Sequence, residues 1–199
     1  MIGGQFCCTF SATAEAMVPD VQQLLRVRAL ASSAGLSLRA EDAEEFVRNY
    51  QPVRYRQFVL PPSFVWLCTL CEPAQLARIW VVTALGDSSP LQRMNDELLR
   101  EQVKWPDELV RFAFTGDELF CFAYESPESQ PPVVTAGSSP PLDEDGEPRV
   151  DWTWHSDNFE KWFAVQAEWL PKADARMAAW NAEFDARHGR SRVRNKPRH

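Results

Sequence analysis

Between positions 106 and 163 the chain alternates short apolar runs with turn residues, and this pattern limits the fold more than any other feature. Leu109 to Phe114 alternates, with Val110, Phe112 and Phe114 expected on one face. After Thr115-Gly116-Asp117 the chain returns as Leu119-Phe120-Cys121-Phe122-Ala123-Tyr124. Two such runs across a glycine-bearing turn predict a hairpin. Pro132-Val133-Val134-Thr135 predicts another short extended piece. Val150, Trp152 and Trp154 then alternate with Asp151 and Thr153, the period of a half-buried strand. Asp157 opens a helix, with Glu160 completing a capping pattern and Phe159, Trp162, Phe163, Gln166 and Leu170 forming its apolar face.

Residues 1–18 have no clear period and read as a loose arm. Asp20 is an N-cap for a helix carrying Val21, Leu24, Leu25, Arg28 and Ala31, which ends at Gly35. A second helix is expected from Ala40 to Asn49. Glu41, Asp42, Glu44 and Glu45 crowd its start, where the helix dipole favours carboxylates, and Phe46, Val47 and Tyr50 give it an inward face. Leu60-Pro61-Pro62 resets the chain before a helix over 63–71. That helix is apolar nearly all round, through Phe64, Trp66, Leu67, Leu70 and Cys71, so it belongs beneath the sheet.

The β-branched and aromatic run Ile79-Trp80-Val81-Val82-Thr83 predicts a central strand. Ser89-Pro90-Leu91-Gln92 is a capping box, and Leu91, Met94, Leu98, Leu99 and Val103 follow at helical spacing. Residues 125–149 are rich in Pro, Ser and Gly and read as an acidic loop around the short strand at Pro132. Pro171 is expected to kink or restart the last helix, and Met177, Trp180 and Phe184 form a narrow stripe beyond it.

The succession Trp105-Pro106, Val110-x-Phe112-Ala113, Gly116-Asp117-x-x-Phe120-Cys121-Phe122, Pro132-Val133-Val134 and Ser156-x-x-Phe159-x-x-Trp162-Phe163 resembles the SUKH superfamily. Leu60-Pro61-Pro62-Ser63-Phe64-x-x-Leu67 looks like the start of the early helix of that superfamily. It takes in Smi/Knr-like cell-wall regulators and many immunity proteins of bacterial polymorphic toxin systems. The resembled stretch covers roughly residues 40–170. It departs from the pattern at Glu72-Pro73-Ala74-Gln75, where an Asn-Gly turn is often found.

The expected fold is therefore α+β: one domain with a twisted, mostly antiparallel sheet of about five or six strands packed by helices. Helical extensions are expected at both ends. The divisions are 1–36 for an arm and helix, 37–170 for the SUKH-like domain, and 171–199 for a helix and basic tail. A chain of 199 residues, 45% of them apolar, can bury such a core.

Formal charge is −7, unevenly distributed. Arg187, Arg190, Arg192, Arg194, Lys196 and Arg198 form a tail without an acid; setting aside these six of the 21 basic residues leaves 15 against 28 acidic, or −13, for the remainder. Such a body repels nucleic acid and attracts basic proteins. The tail lacks the aromatic interleaving of base recognition. No apolar run approaches the roughly 20 residues that span a bilayer, and the start lacks the positive segment of a secretory signal. Five unevenly spaced cysteines fit reduced thiols, and with them a cytoplasmic location.

Chemical motifs are sparse. Cys68-Thr69-Leu70-Cys71 has the spacing of a metal half-site or redox pair, but an apolar helix favours buried structural thiols. His155, Ser156 and Asp157 match the residue types of a catalytic triad, yet adjacent positions do not normally converge. Asp143, Glu144, Asp145 and Glu147 form an acidic cluster without the distal glutamate of an EF-hand, read first as a solvated loop, then as a docking surface for a basic partner, and last as a metal loop. No cofactor, metal or enzymatic activity is expected.

The resemblance implies an immunity protein that occludes a cognate toxin, such as a nuclease, encoded next to it. A regulatory scaffold for a resident partner is the alternative within the same superfamily. Charge nominates Asp143, Glu144, Asp145 and Glu147 as partner-binding residues, with Glu41, Asp42, Glu44 and Glu45 second. The extensions leave room for a homodimer.

Overall fold

The computed structural model describes residues 17–71, 74–76, 79–86, 89–100, 105–137, 144 and 150–188. Its elements in chain order are α1 (Val21–Ser33), α2 (Ala43–Asn49), β1 (Arg54–Tyr55), β2 (Phe58–Val59), α3 (Pro62–Leu70), β3 (Ala74–Leu76) and β4 (Ile79–Val81). There follow α4 (Pro90–Arg100), β5 (Leu109–Phe114), β6 (Glu118–Ala123), β7 (Val133–Gly137), β8 (Trp152–Ser156) and α5 (Phe159–His188). Strands β3 to β8 form one sheet in sequence order, every neighbour antiparallel, and β1 pairs with β2 in a separate small hairpin. The α+β class and the antiparallel sheet are as the sequence predicts.

Buried apolar clusters lie on both faces of the sheet. On one side Val110, Phe112, Phe120, Phe122 and Val133 meet α3 and α5. The Phe112 ring stacks on Phe122 at 4.1 Å and meets Phe64, Phe159 and Trp162 edge-on at 5.6, 5.8 and 4.9 Å. On the other side Trp105, Leu109, Leu119, Cys121, Val134 and Ala136 form a second cluster, with Phe114 and Val150 packed against it. Phe114 therefore leaves the face it was expected to share with Val110 and Phe112. A register shift between Arg111 and Ala113 inserts a bulge, which reverses the alternation beyond it.

That bulge has its own support. β4 pairs with β5 at Phe114 and Ala113, the Val82 N–H donates to the Phe112 carbonyl at 2.8 Å, and at Arg111 the side chain of Asn95 takes over. Its Oδ1 accepts from the Arg111 N–H at 2.8 Å, and its Nδ2 donates to the carbonyls of Arg111 and Leu91 at 2.8 and 2.9 Å. Only 2% exposed, Asn95 acts as a strand substitute offered by α4. The helix is set by the expected cap, Ser89 Oγ accepting from the Gln92 N–H.

Helix α1, set apart from the domain on sequence, is packed into it. Leu24, Val27 and Ala31 are fully buried in the principal core, the Trp66 indole donates to the Leu24 carbonyl at 3.0 Å, and Gln23 Nε2 donates to Glu160 at 2.6 Å. Asp20 caps it by accepting from Gln22 and Gln23. At the other end α5 runs unbroken through Pro171 to His188, so the boundary expected at 170/171 falls inside one helix. Proline removes a single ladder bond, and the alanine-rich stretch after it is strongly helix-forming. Its cap is Asn158, whose Oδ1 accepts from the Lys161 N–H at 2.9 Å, while the carboxylate of Asp157 pairs with the Lys161 ammonium.

Most tryptophans were expected in the core; Trp66, Trp105 and Trp162 are, whereas Trp80, Trp152, Trp154, Trp169 and Trp180 are 43–61% exposed. Trp152 and Trp154 lie on β8, the last strand of the sheet, where no further strand shields them among the described residues.

The Asn95 bridge yields a prediction. Asn95→Ala leaves the Arg111 N–H and C=O without these partners and should lower stability by about 2–4 kcal/mol. A shift of the urea midpoint at constant m-value would show it, and a loss below about 0.5 kcal/mol, the scale of an ordinary surface change, would deny the bridge this role.

Candidate functional site

Helix α2 begins with Asp42, whose carboxylate accepts from the backbone N–H groups of Glu44 and Glu45 at 2.8 and 3.0 Å. Those two hydrogen bonds, Glu45 first, hold its pKa below the usual carboxylate value, with weaker help from Arg48 and Arg28. Asp42 is thus engaged in starting the helix. Arg28 fixes the preceding residue by donating to the Glu41 carbonyl. The side chains of Glu41, Glu44 and Glu45 are left exposed, and among the described residues none of them forms an ion pair.

Beside these acids is a groove of about 300 Å³, lined by Glu41, Asp42, Glu45, Phe46 and Tyr50 together with Val53, Val65 and Leu85. Among the described residues no lysine or arginine lines it. Phe46 is held between Tyr50 and Trp66, at ring separations of 5.4 and 5.0 Å. Among the described residues the buried Tyr50 hydroxyl has no hydrogen-bond partner, and burial pushes its pKa up to about 12. Aromatic walls with unmatched carboxylates at the mouth suit a cationic side chain.

A second cleft, of about 380 Å³, lies between the β1–β2 hairpin and α4 and is lined by Arg54, Tyr55, Arg56, Gln92 and Asp96. Its charges are already answered internally. Arg54 pairs with Glu128 at 2.9 Å, Arg56 with Asp96 at 3.4 Å and Asp107 at 3.9 Å, and the Tyr55 hydroxyl hydrogen-bonds Asp96 at 3.2 Å. Arg56 has a left-handed backbone, φ 53°, as the hairpin turn requires. This cleft is a latch between two elements.

Of the residues nominated on charge, Glu41, Asp42 and Glu45 converge on the first groove, and Glu44 stands exposed on the same turn outside its lining. Glu144 is exposed in a turn; Asp143, Asp145 and Glu147 lie outside the described residues. The sequence marked the acids but not Tyr50 and Phe46 as their companions. The signal was there in the inward face of α2, but nothing local indicates that Val65 and Leu85 close the same groove.

The chemical motifs resolve into structural roles. Cys68 and Cys71 are 3% and 7% exposed, and burial pushes the Cys71 thiol up to about 11, suppressing the thiolate that metal or redox chemistry needs. Cys121 is likewise raised, to about 12. His155, Ser156 and Asp157 turn to different partners: the His155 ring meets Phe120 edge-on at 5.8 Å, Ser156 donates to the Asn158 carbonyl, and Asp157 pairs with Lys161. Among the described residues no group of three or more His, Cys, Asp or Glu is arranged to hold a metal ion, and no helix is long and apolar enough to cross a membrane.

These raised values fix an alkaline limit. Cys71, Cys121 and Tyr50 are neutral when protonated, and their folded pKa values lie above the ordinary 9.0 and 10.0. The folded state therefore holds more protons between the two values, and its stability falls as pH rises. The urea midpoint should fall progressively across the window from about pH 9 to about pH 12. A midpoint unchanged across that window would mean that these side chains ionise as freely in the folded chain as in the unfolded one.

Comparison with family models, curated proteins and solved structures finds no match for this chain.

Proposed function

We propose that this chain is an inhibitory binding module of the immunity type, which docks on the basic active-site surface of a cognate toxin and occludes it. The observation that carries this reading is the groove beside α2, where among the described residues Glu41 and Glu45 form no ion pair and stand around aromatic walls. The net charge of −13 outside the basic tail supports it by favouring encounter with a basic surface. The resemblance to the SUKH superfamily supplies the biological class, with a toxin gene next to this one and the cytoplasm as the place of action. A nuclease fits, because its substrate site must be basic. The inhibitor works by binding alone and needs no cofactor.

The exposed tryptophans favour a second reading. Trp80, Trp152 with Trp154, and Trp180 belong to separate elements, and exposed tryptophan is the commonest anchor of protein interfaces. A regulatory scaffold with several resident partners would use such dispersed surfaces.

Expression of the adjacent open reading frame alone and with this chain tests the first reading directly. Growth arrest relieved by co-expression, with tight binding of the purified pair, is the expected result. Replacing Glu44 and Glu144 by Gln, together with Asp143→Asn, Asp145→Asn and Glu147→Gln, should slow association several-fold and flatten its salt dependence, while dissociation changes little. Absence of toxicity and of binding would remove the inhibitor. Recovery of several resident proteins, insensitive to these substitutions, would favour the scaffold.

A further inference from the structure

We propose that the groove beside α2 receives one arginine side chain of the partner, held between the Glu41 and Glu45 carboxylates and the rings of Phe46 and Tyr50. This deepens the inhibitor reading and rests on it for the identity of the partner. Three observations lead to it.

The first is size. A volume of about 300 Å³ lies at the bottom of the range for ligand pockets and admits a side chain, not a helix or a strand. The second is charge. Among the described residues three carboxylates and no cation line the groove, and Asp42 is occupied as the α2 cap, which leaves Glu41 and Glu45 for an incoming cation. The neighbouring Arg28 and Arg48 act on Asp42, but neither lines the groove, and Arg28 is spent on the Glu41 carbonyl.

The third is the nature of the walls. Phe46 and Tyr50 present an aromatic pair, their rings 5.4 Å apart. Guanidinium combines weak hydration with a planar face that stacks on rings and a fork that matches carboxylates. Lysine offers a strongly hydrated point charge and gains less from the rings. Arginine is the side chain that uses both the carboxylates and the rings of the groove.

The full chain, labelled for amide resonances, would be titrated with N-acetyl-arginine amide, N-acetyl-lysine amide and N-acetyl-citrulline amide. Citrulline keeps the shape of arginine and removes its charge. The arginine probe should saturate shifts confined to residues 41–51, Val65, Thr69 and Leu85, while the citrulline probe leaves them unmoved. The double variant E41Q/E45Q, whose remaining spectrum should report an intact fold, should bind the arginine probe at least about fivefold more weakly, as loss of two partly exposed ion pairs implies. Equal shifts with citrulline, equal affinity for lysine, or undiminished binding by E41Q/E45Q would each overturn the assignment. Toxin inhibition that persists without these shifts removes the arginine anchor and leaves the inhibitor; the expected shifts in a chain that binds no toxin do the reverse.

Discussion

Phe112 is the residue on which the packing of this molecule turns. Its ring is stacked on Phe122 in the adjacent strand and met edge-on by Phe64 of α3 and by Phe159 and Trp162 of α5. One side chain therefore joins the central hairpin to both helices that cover it. Such aromatic pairs contribute about 0.5–1.5 kcal/mol each beyond area burial, and four of them are a large part of the roughly 5–15 kcal/mol that stabilises a domain. The rest of the architecture follows. Trp66 occupies the opposite side of α3 from this cluster only in the sense of its partners: its indole reaches the Leu24 carbonyl and its ring meets Phe46, so α1 and α2 are gathered onto the helix that Phe112 anchors.

That chain of contacts reaches the groove. Phe46 can line it because Trp66 backs it, and the acids stand at its mouth because Asp42 fixes the start of α2 by capping two of its free N–H groups. The same acidic run thus divides its work. Asp42 organises the backbone, Glu44 adds exposed charge, and Glu41 and Glu45 line the groove.

Elements governed by local physics were legible in the sequence. The β5–β6 hairpin, the proline-started α3 and the caps at Asp20 and Ser89 each follow from a few neighbouring residues. What the sequence concealed is tertiary. The bulge that sends Phe114 to the opposite face depends on Asn95 arriving from α4, and the placement of α1 depends on a carbonyl meeting an indole 42 positions away. Burial of tryptophan was overestimated because alternation identifies which residues share a face but not whether anything covers it. Trp152 and Trp154 obey the strand period and still face outward, on the last strand of the sheet. The groove was half legible, since its acids are contiguous while Val65 and Leu85 are brought to them by the fold.

Charge and shape then act at different ranges. Exposed charges are screened beyond about 8 Å at physiological ionic strength, so in the proposed inhibitor the acidic excess of the body guides a basic partner without selecting its register. Selection needs a feature that accepts one side chain in one place. The groove meets that need because its walls are held from behind by the core: Phe46 rests on Trp66, and Val65 belongs to the same buried helix as Phe64. A surface mounted in this way loses little freedom when it binds, which favours slow release of whatever it holds. In the inhibitor we propose, the acids bring a partner close, and the aromatic core beneath them determines what stays.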